Sequence, residues 1–230
     1  MEKNFFSVVF YSFYIFEGNY RDFKRTLEIY TEATNSDEFL FNGEKQINLH
    51  ISGGREIARL IHNYAAAWLS LVDHSRRVNI KLKENNVAEI QHFATEYEDR
   101  LSSQLKNTFE NTFVKDLRRY VQHKKVPIPT LQFKMVRMDN SLSESGDPLF
   151  QGGFSFEFYS QNIEDFNWSS NVKEYIKNNK TIPIGEIIDI HFSAMKDFYL
   201  WIQFREHQLH PYAPDEIKET TFDVWKQKIM

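Results

Sequence analysis

Eight apolar residues, Ile57, Leu60, Ile61, Tyr64, Trp68, Leu71, Val72 and Val78, recur at i, i+3, i+4, i+7 spacing. That rhythm sets them on one stripe of a helix about six turns long. A stripe of that length needs other helices to cover it, and it commits the chain to a mainly α fold. Ala65, Ala66 and Ala67 sit mid-helix, where small side chains let a neighbour approach closely. Ser52 reads as the N-cap, with Gly53 and Gly54 loosening the entry. The opposite face carries His62, Asn63, Ser70, Asp73, His74, Arg76 and Arg77.

Other segments repeat the pattern. Phe23, Leu27 and Tyr30 predict a short helix between Asn19 and Ala33. Ile90, Phe93, Tyr97, Leu101 and Leu105 predict another from Val87 to about Lys106, and Phe109, Phe113, Leu117, Tyr120 and Val121 a third, stopped by Pro127 and Pro129. A short helix covers "SSNVKEYIKNN", and a long final one, with Ile187, Ile190, Phe198 and Trp201 among its apolar positions, ends at Pro211. Two stretches alternate with period two instead. "DEFLFNGEKQINLHI" has Asn42-Gly43 between alternating runs and predicts a hairpin over about 38–51. "TLQFKMVRM" and "GGFSFEFYS", separated by "DNSLSESGDP", predict a second hairpin, inserted over about 129–160. The expected architecture is a single domain over 1–230, an antiparallel helical bundle with β-hairpin insertions.

Composition narrows the function. With 21 Phe and 16% aromatic residues, the core is built from rings. A net charge of −4 argues against a surface coated in positive charge for bulk nucleic-acid binding, so any anion site is local. No cysteine is present, which excludes disulfides, thiolate metal sites and cysteine nucleophiles and fits a reducing cytoplasm. The run "FFSVVFYSFYIF" is too short to span a bilayer and lacks a signal-peptide pattern; it reads as a core strand or helix, with no membrane role. Glu206, His207 and His210 supply two ligands of one helix and a neighbouring carboxylate, short of a metal site, and no metal or other cofactor is expected.

The basic stretch "KDLRRYVQHKK" at 115–125 carries the candidate chemistry. Tyr120 and Val121 belong to the apolar face and anchor the segment. Arg118 and His123 are five apart, turned roughly 140° from each other around a helix, so they flank the buried stripe on opposite sides. One copy makes an incomplete site, and a two-fold homodimer would bring two of each residue around a shared cleft. A histidine can deprotonate a ribose 2′-hydroxyl or protonate a leaving 5′-oxygen, and an arginine can hold the charge of the phosphorane. RNA would be cut and DNA spared. The competing reading is a helix end whose cations complement the macrodipole and do nothing else.

"LIHNYAAAWLSLVDHSRRV" followed some forty residues on by "FVKDLRRYVQHKKVP" resembles the HEPN superfamily, helical-bundle proteins of toxin–antitoxin, phage-defence and RNA-processing systems. The family's mark is an arginine, four to six residues, then a histidine near the end of a core helix, matched here by Arg118 and His123; the resemblance covers roughly 52–126. It implies a metal-independent endoribonuclease acting as a homodimer, with Arg118 stabilising the transition state and His123 acting as acid or base. Around them it implies RNA-phosphate contacts from Arg119, Lys124, Lys125, Arg76 and Arg77, and supporting roles for Asn63, Asp73 and Tyr120. An antitoxin or other protein partner belongs to the same expectation. The family usually has a small polar residue, most often Asn or Asp, after the arginine, where this chain has Arg119. That departure keeps open a second reading, a catalytically inactive module of the same fold that binds RNA, a nucleotide or a protein.

Overall fold

The structure, a computed structural model, describes residues 6–34, 39, 42–142, 148–210 and 212–229. Helices α1 (Ser7–Thr34), α2 (Gly43–Lys83), α3 (Ala88–Leu101) and α4 (Phe109–His123) come first. Strands β1 (Thr130–Leu142) and β2 (Pro148–Tyr159), short α5 (Ser160–Ile163), α6 (Ser170–Asn178) and β3 (Thr181–Ile182) follow. The chain closes with α7 (Ile184–Leu209), α8 (Asp215–Glu219) and α9 (Phe222–Ile229). The mainly helical expectation holds, with one small sheet of order β1-β2-β3 among the described residues.

The N-terminal hairpin expected over 38–51 is overturned where it can be seen, since α2 is already running at Gly43; residues 38, 40 and 41 lie outside the described residues. Asn42 explains the change. Its Oδ1 accepts the Lys45 N–H at 3.1 Å and its carbonyl accepts Gln46 N–H at 3.1 Å, so it caps a helix rather than opening a turn. Ser52 is consequently no cap; it lies inside α2 and its hydroxyl donates back to the Asn48 carbonyl at 2.6 Å. Gly53 and Gly54 serve packing instead of entry. A Cβ at Gly53 would come 2.9 Å from Phe156 Cζ, and one at Gly54 2.8 Å from the Pro129 carbonyl.

From Ser7 onward the N-terminal apolar run is helical and opens α1, which continues through the short helix expected at 19–33. The second amphipathic segment ends in a π-helical turn, Ser102–Lys106, and breaks before α4, where Thr108 Oγ1 accepts the Asn111 N–H at 3.3 Å. The inserted hairpin is present, with Thr130 opposite Glu157 and Arg137 opposite Phe150; turn residues 143–147 lie outside the described residues. β3, which the sequence reading omitted, pairs Ile182 with Phe158 and Thr181 with Tyr159.

By contacts the chain forms two compact units, and the boundaries fall inside α1, α2, α4 and α7. The first comprises Met1–Gly18, Ala65–Lys115 and Ile188–Met230. Its core is ring against ring: Phe93 lies 5.5 Å from Trp201, Tyr97 5.2 Å from Phe198 and Phe204 5.5 Å from Trp225. The second comprises Asn19–Tyr64 and Asp116–Ile187, with Phe23, Ile57, Ile61, Tyr120, Phe158 and Trp168 buried.

Candidate functional site

The last two turns of α4 and the Lys124 that follows them lie in the second unit and are fastened to residues 160–169 through four side chains. Asp116, fully buried, accepts the Ser169 N–H at 2.6 Å through Oδ2, which fixes the entry to α6. Its Oδ1 accepts from Arg119 at 3.2 Å, and the Arg119 guanidinium sits 5.6 Å from the centre of the Phe166 ring. Tyr120 is buried, stacks on Trp168 at 5.4 Å, meets the edge of Phe166 at 5.2 Å, and donates its hydroxyl to the Asn162 carbonyl at 3.1 Å. Burial raises the Tyr120 phenol above its usual pKa. Lys124 pairs with Asp165 at 2.7 Å, and its hydrogen bond holds that carboxyl below the ordinary carboxylate range.

These contacts sort the cations of the stretch. Arg119 and Lys124 are neutralised by Asp116 and Asp165. His123 and Lys125 are exposed at the helix end. Arg118 is half-buried, with Nε out of water and no hydrogen-bond partner among the described residues. Burying one N–H of a guanidinium without an acceptor is costly, and an anion can meet Arg118 only through the part of its side chain that stays exposed.

The other expected residues stand as follows. Arg118, Arg119, Tyr120, His123, Lys124 and Lys125 share one helix end of the second unit, and Asn63 lies half-buried in the same unit's part of α2. Asp73, Arg76 and Arg77 belong to the first unit. There Arg76 meets Asp73 at 3.6 Å as an exposed surface pair, and Arg77 is exposed. Tyr120 and Arg119 hold residues of this unit together, Tyr120 as a buried anchor and Arg119 with its side chain still partly exposed. Glu206 lies 3.8 Å from His207, whose ring meets the edge of Trp225, and no group of three or more metal-ligating side chains occurs among the described residues.

Sequence reasoning missed the holders Asp116, Asp165, Phe166 and Trp168. Asp116, three residues before Arg119, was a legible helix pair. The aromatic "DFNW" was not legible as its platform. No helix among the described residues is long and apolar enough to cross a membrane. No family model matches the chain, and neither a curated protein nor a solved structure does.

Proposed function

We propose that this chain is a metal-independent endoribonuclease of the HEPN type, working as a homodimer of toxin or phage-defence character, with Arg118 and His123 as its catalytic pair. The observation that carries the reading is Arg118, a half-buried guanidinium whose Nε has no acceptor, beside cations that carboxylates have already satisfied. The departure at Arg119 then loses its weight: that side chain is taken up by Asp116 and Phe166 and leaves Arg118 as the phosphate-facing group. His123, exposed, is available to take the 2′-hydroxyl proton, and a second histidine from the partner copy can protonate the leaving 5′-oxygen. The nucleophile is the RNA's own hydroxyl, the bond broken is P–O5′, and the products are a 2′,3′-cyclic phosphate and a free 5′-hydroxyl. Arg118 stabilises the added charge on the phosphorane.

The test is cleavage of single-stranded RNA in EDTA, with a DNA of the same sequence alongside. RNA is cut to cyclic-phosphate ends and DNA is untouched. His123→Ala lowers the rate by about 10²–10⁴, the scale of general acid–base catalysis, with the melting temperature unchanged because the ring is exposed. Undiminished cleavage by His123→Ala sinks the assignment. RNA binding without any cleavage in the wild type, lost in Arg118→Ala, would make the chain a binding module instead.

A further inference from the structure

The outward face of the first three turns of α1 is uncharged from end to end. Ser7, Val8, Tyr11, Tyr14, Ile15 and Gly18 fall within an arc of about 120° at 100° per residue. The opposite side of the same turns faces the interior of the first unit: Phe13 stacks on Tyr199 at 5.2 Å, Phe16 lies 5.7 Å from Phe192, and Ser12 Oγ is 2.5 Å from His74 Nδ1. Glu17, the first charge after Phe6, points to that inner side and meets Lys196 at 3.7 Å. On the outer arc Tyr11 is 73% and Tyr14 71% exposed, and Val8 and Ile15 are exposed beside them. A solvent face normally carries the charges of an amphipathic helix, and here it carries two aromatic rings and two branched aliphatics.

The order of residues on that face names what fits it. Ser7, Tyr11, Tyr14 and Gly18 follow each other at steps of four, three and four, the spacing of a coiled-coil seam. Both the spacing and the sizes read the same in either direction: small, large, large, small. Two copies of α1 laid antiparallel about a two-fold axis midway between Tyr11 and Tyr14 therefore match themselves. Tyr11 packs on the partner's Tyr14, and Ser7 lies opposite the partner's Gly18. Gly18 has room for this, since a Cβ built there meets nothing within 4 Å. A face without charge also meets its own copy without repulsion, which a charged face would not.

We infer that α1 is a self-association surface, pairing antiparallel with α1 of a second copy through the Ser7–Tyr11–Tyr14–Gly18 seam. Four tyrosines, each of about 150–250 Å², form the centre of a small interface, so the pairing is concentration-dependent in the micromolar range. The inference stands on the face of α1 and does not depend on the nuclease reading.

The chain has no cysteine, so introduced ones report without background. Full-length Ser7→Cys is mixed with Gly18→Cys and oxidised mildly, and each is oxidised alone. The mixture cross-links. Each variant alone does not, because equivalent positions sit about 16 Å apart along the axis, far beyond the roughly 7 Å that a disulfide tolerates. Sedimentation supplies the second arm. Tyr11→Glu and Tyr14→Lys each weaken self-association at least about tenfold with the melting temperature held, and the double variant recovers it, because the new opposite charges face each other across the axis. Cross-linking in the single-variant samples equal to the mixture, no recovery in the double variant, or a wild type that stays monomeric to about 100 μM would each overturn the proposal. His123→Ala keeps the cross-link, so a failure of pairing and a failure of cleavage are read separately.

Discussion

Ser75 supplies a partner to a phenol that is cut off from water. Its hydroxyl lies 2.6 Å from the Tyr199 hydroxyl and 2.7 Å from the Leu71 carbonyl. Removing it with Ser75→Ala strands the buried Tyr199 hydroxyl and should cost about 1–3 kcal/mol, read as a lower urea midpoint at unchanged slope. Burial pushes the Tyr97 phenol up to about 12 and raises Tyr199 as well. Above pH 10 the unfolded tyrosines release protons that the folded ones keep, so stability falls as pH rises beyond that point, by about 1.4 kcal/mol per unit for each phenol. Tyr199→Phe should flatten part of that alkaline limb. At the acid end His191, set between Trp68 and Phe16, is pushed down to about 3 by burial. The unfolded chain takes up a proton near pH 6.5 that the folded one refuses, so stability is lost as pH falls below that value. Between pH 6.5 and 5 the wild type should lose about 2 kcal/mol more than His191→Phe. Identical acid limbs in chemical denaturation would refute this role for the ring.

Two glycines show how much an element's surroundings decide at a single position. Gly18 in α1 has open space where a Cβ would stand, whereas Gly54 in α2 meets the Pro129 carbonyl at 2.8 Å and Ile128 Cγ2 at 3.1 Å. Gly18→Ala should therefore stabilise by about 0.5–1 kcal/mol through helix propensity. Gly54→Ala should destabilise by about 1–3 kcal/mol, because backbone has to move. Thermal melts of the two variants should shift in opposite directions. α4 carries the complementary lesson. The apolar stripe from Phe109 to Val121 was legible as a helix, and so was its stop before Pro127. What Arg119 does there was only half legible, because Asp116 is its neighbour on the helix whereas Phe166 arrives only after β1, β2 and α5 have been built. The hairpin at Asn42-Gly43 was misread for a related reason. "EKQINLHI" satisfies both the two-residue alternation and the i, i+4 pair Ile47 and Ile51, and the cap from Asn42 Oδ1 selects the helix.

For the molecule as a whole, a net charge of −4 limits how many phosphates the chain can engage at once. On the proposed nuclease reading, RNA binding by the cleavage-impaired His123→Ala variant should thus depend weakly on salt. Each phosphate contact with single-stranded RNA adds about 0.7 to the slope of log K against log salt, so Arg118→Ala should reduce that slope by about one such step. A slope unaltered by Arg118→Ala would remove Arg118 from the phosphate contacts. The sequence by itself determined the mainly helical class, the buried stripe of α2 and the inserted hairpin, because a period of 3.6 or 2 is a local property of neighbouring residues. Tertiary structure alone decided that Asp116 caps the entry to α6, 53 residues on, and that Ser75 meets Tyr199, 124 residues on. It also decided which side of the apolar start of α1 is left facing outward. Those outcomes rest on hydrogen-bond partners and packed faces far apart along the chain, and no local pattern encodes which acceptor or ring will arrive.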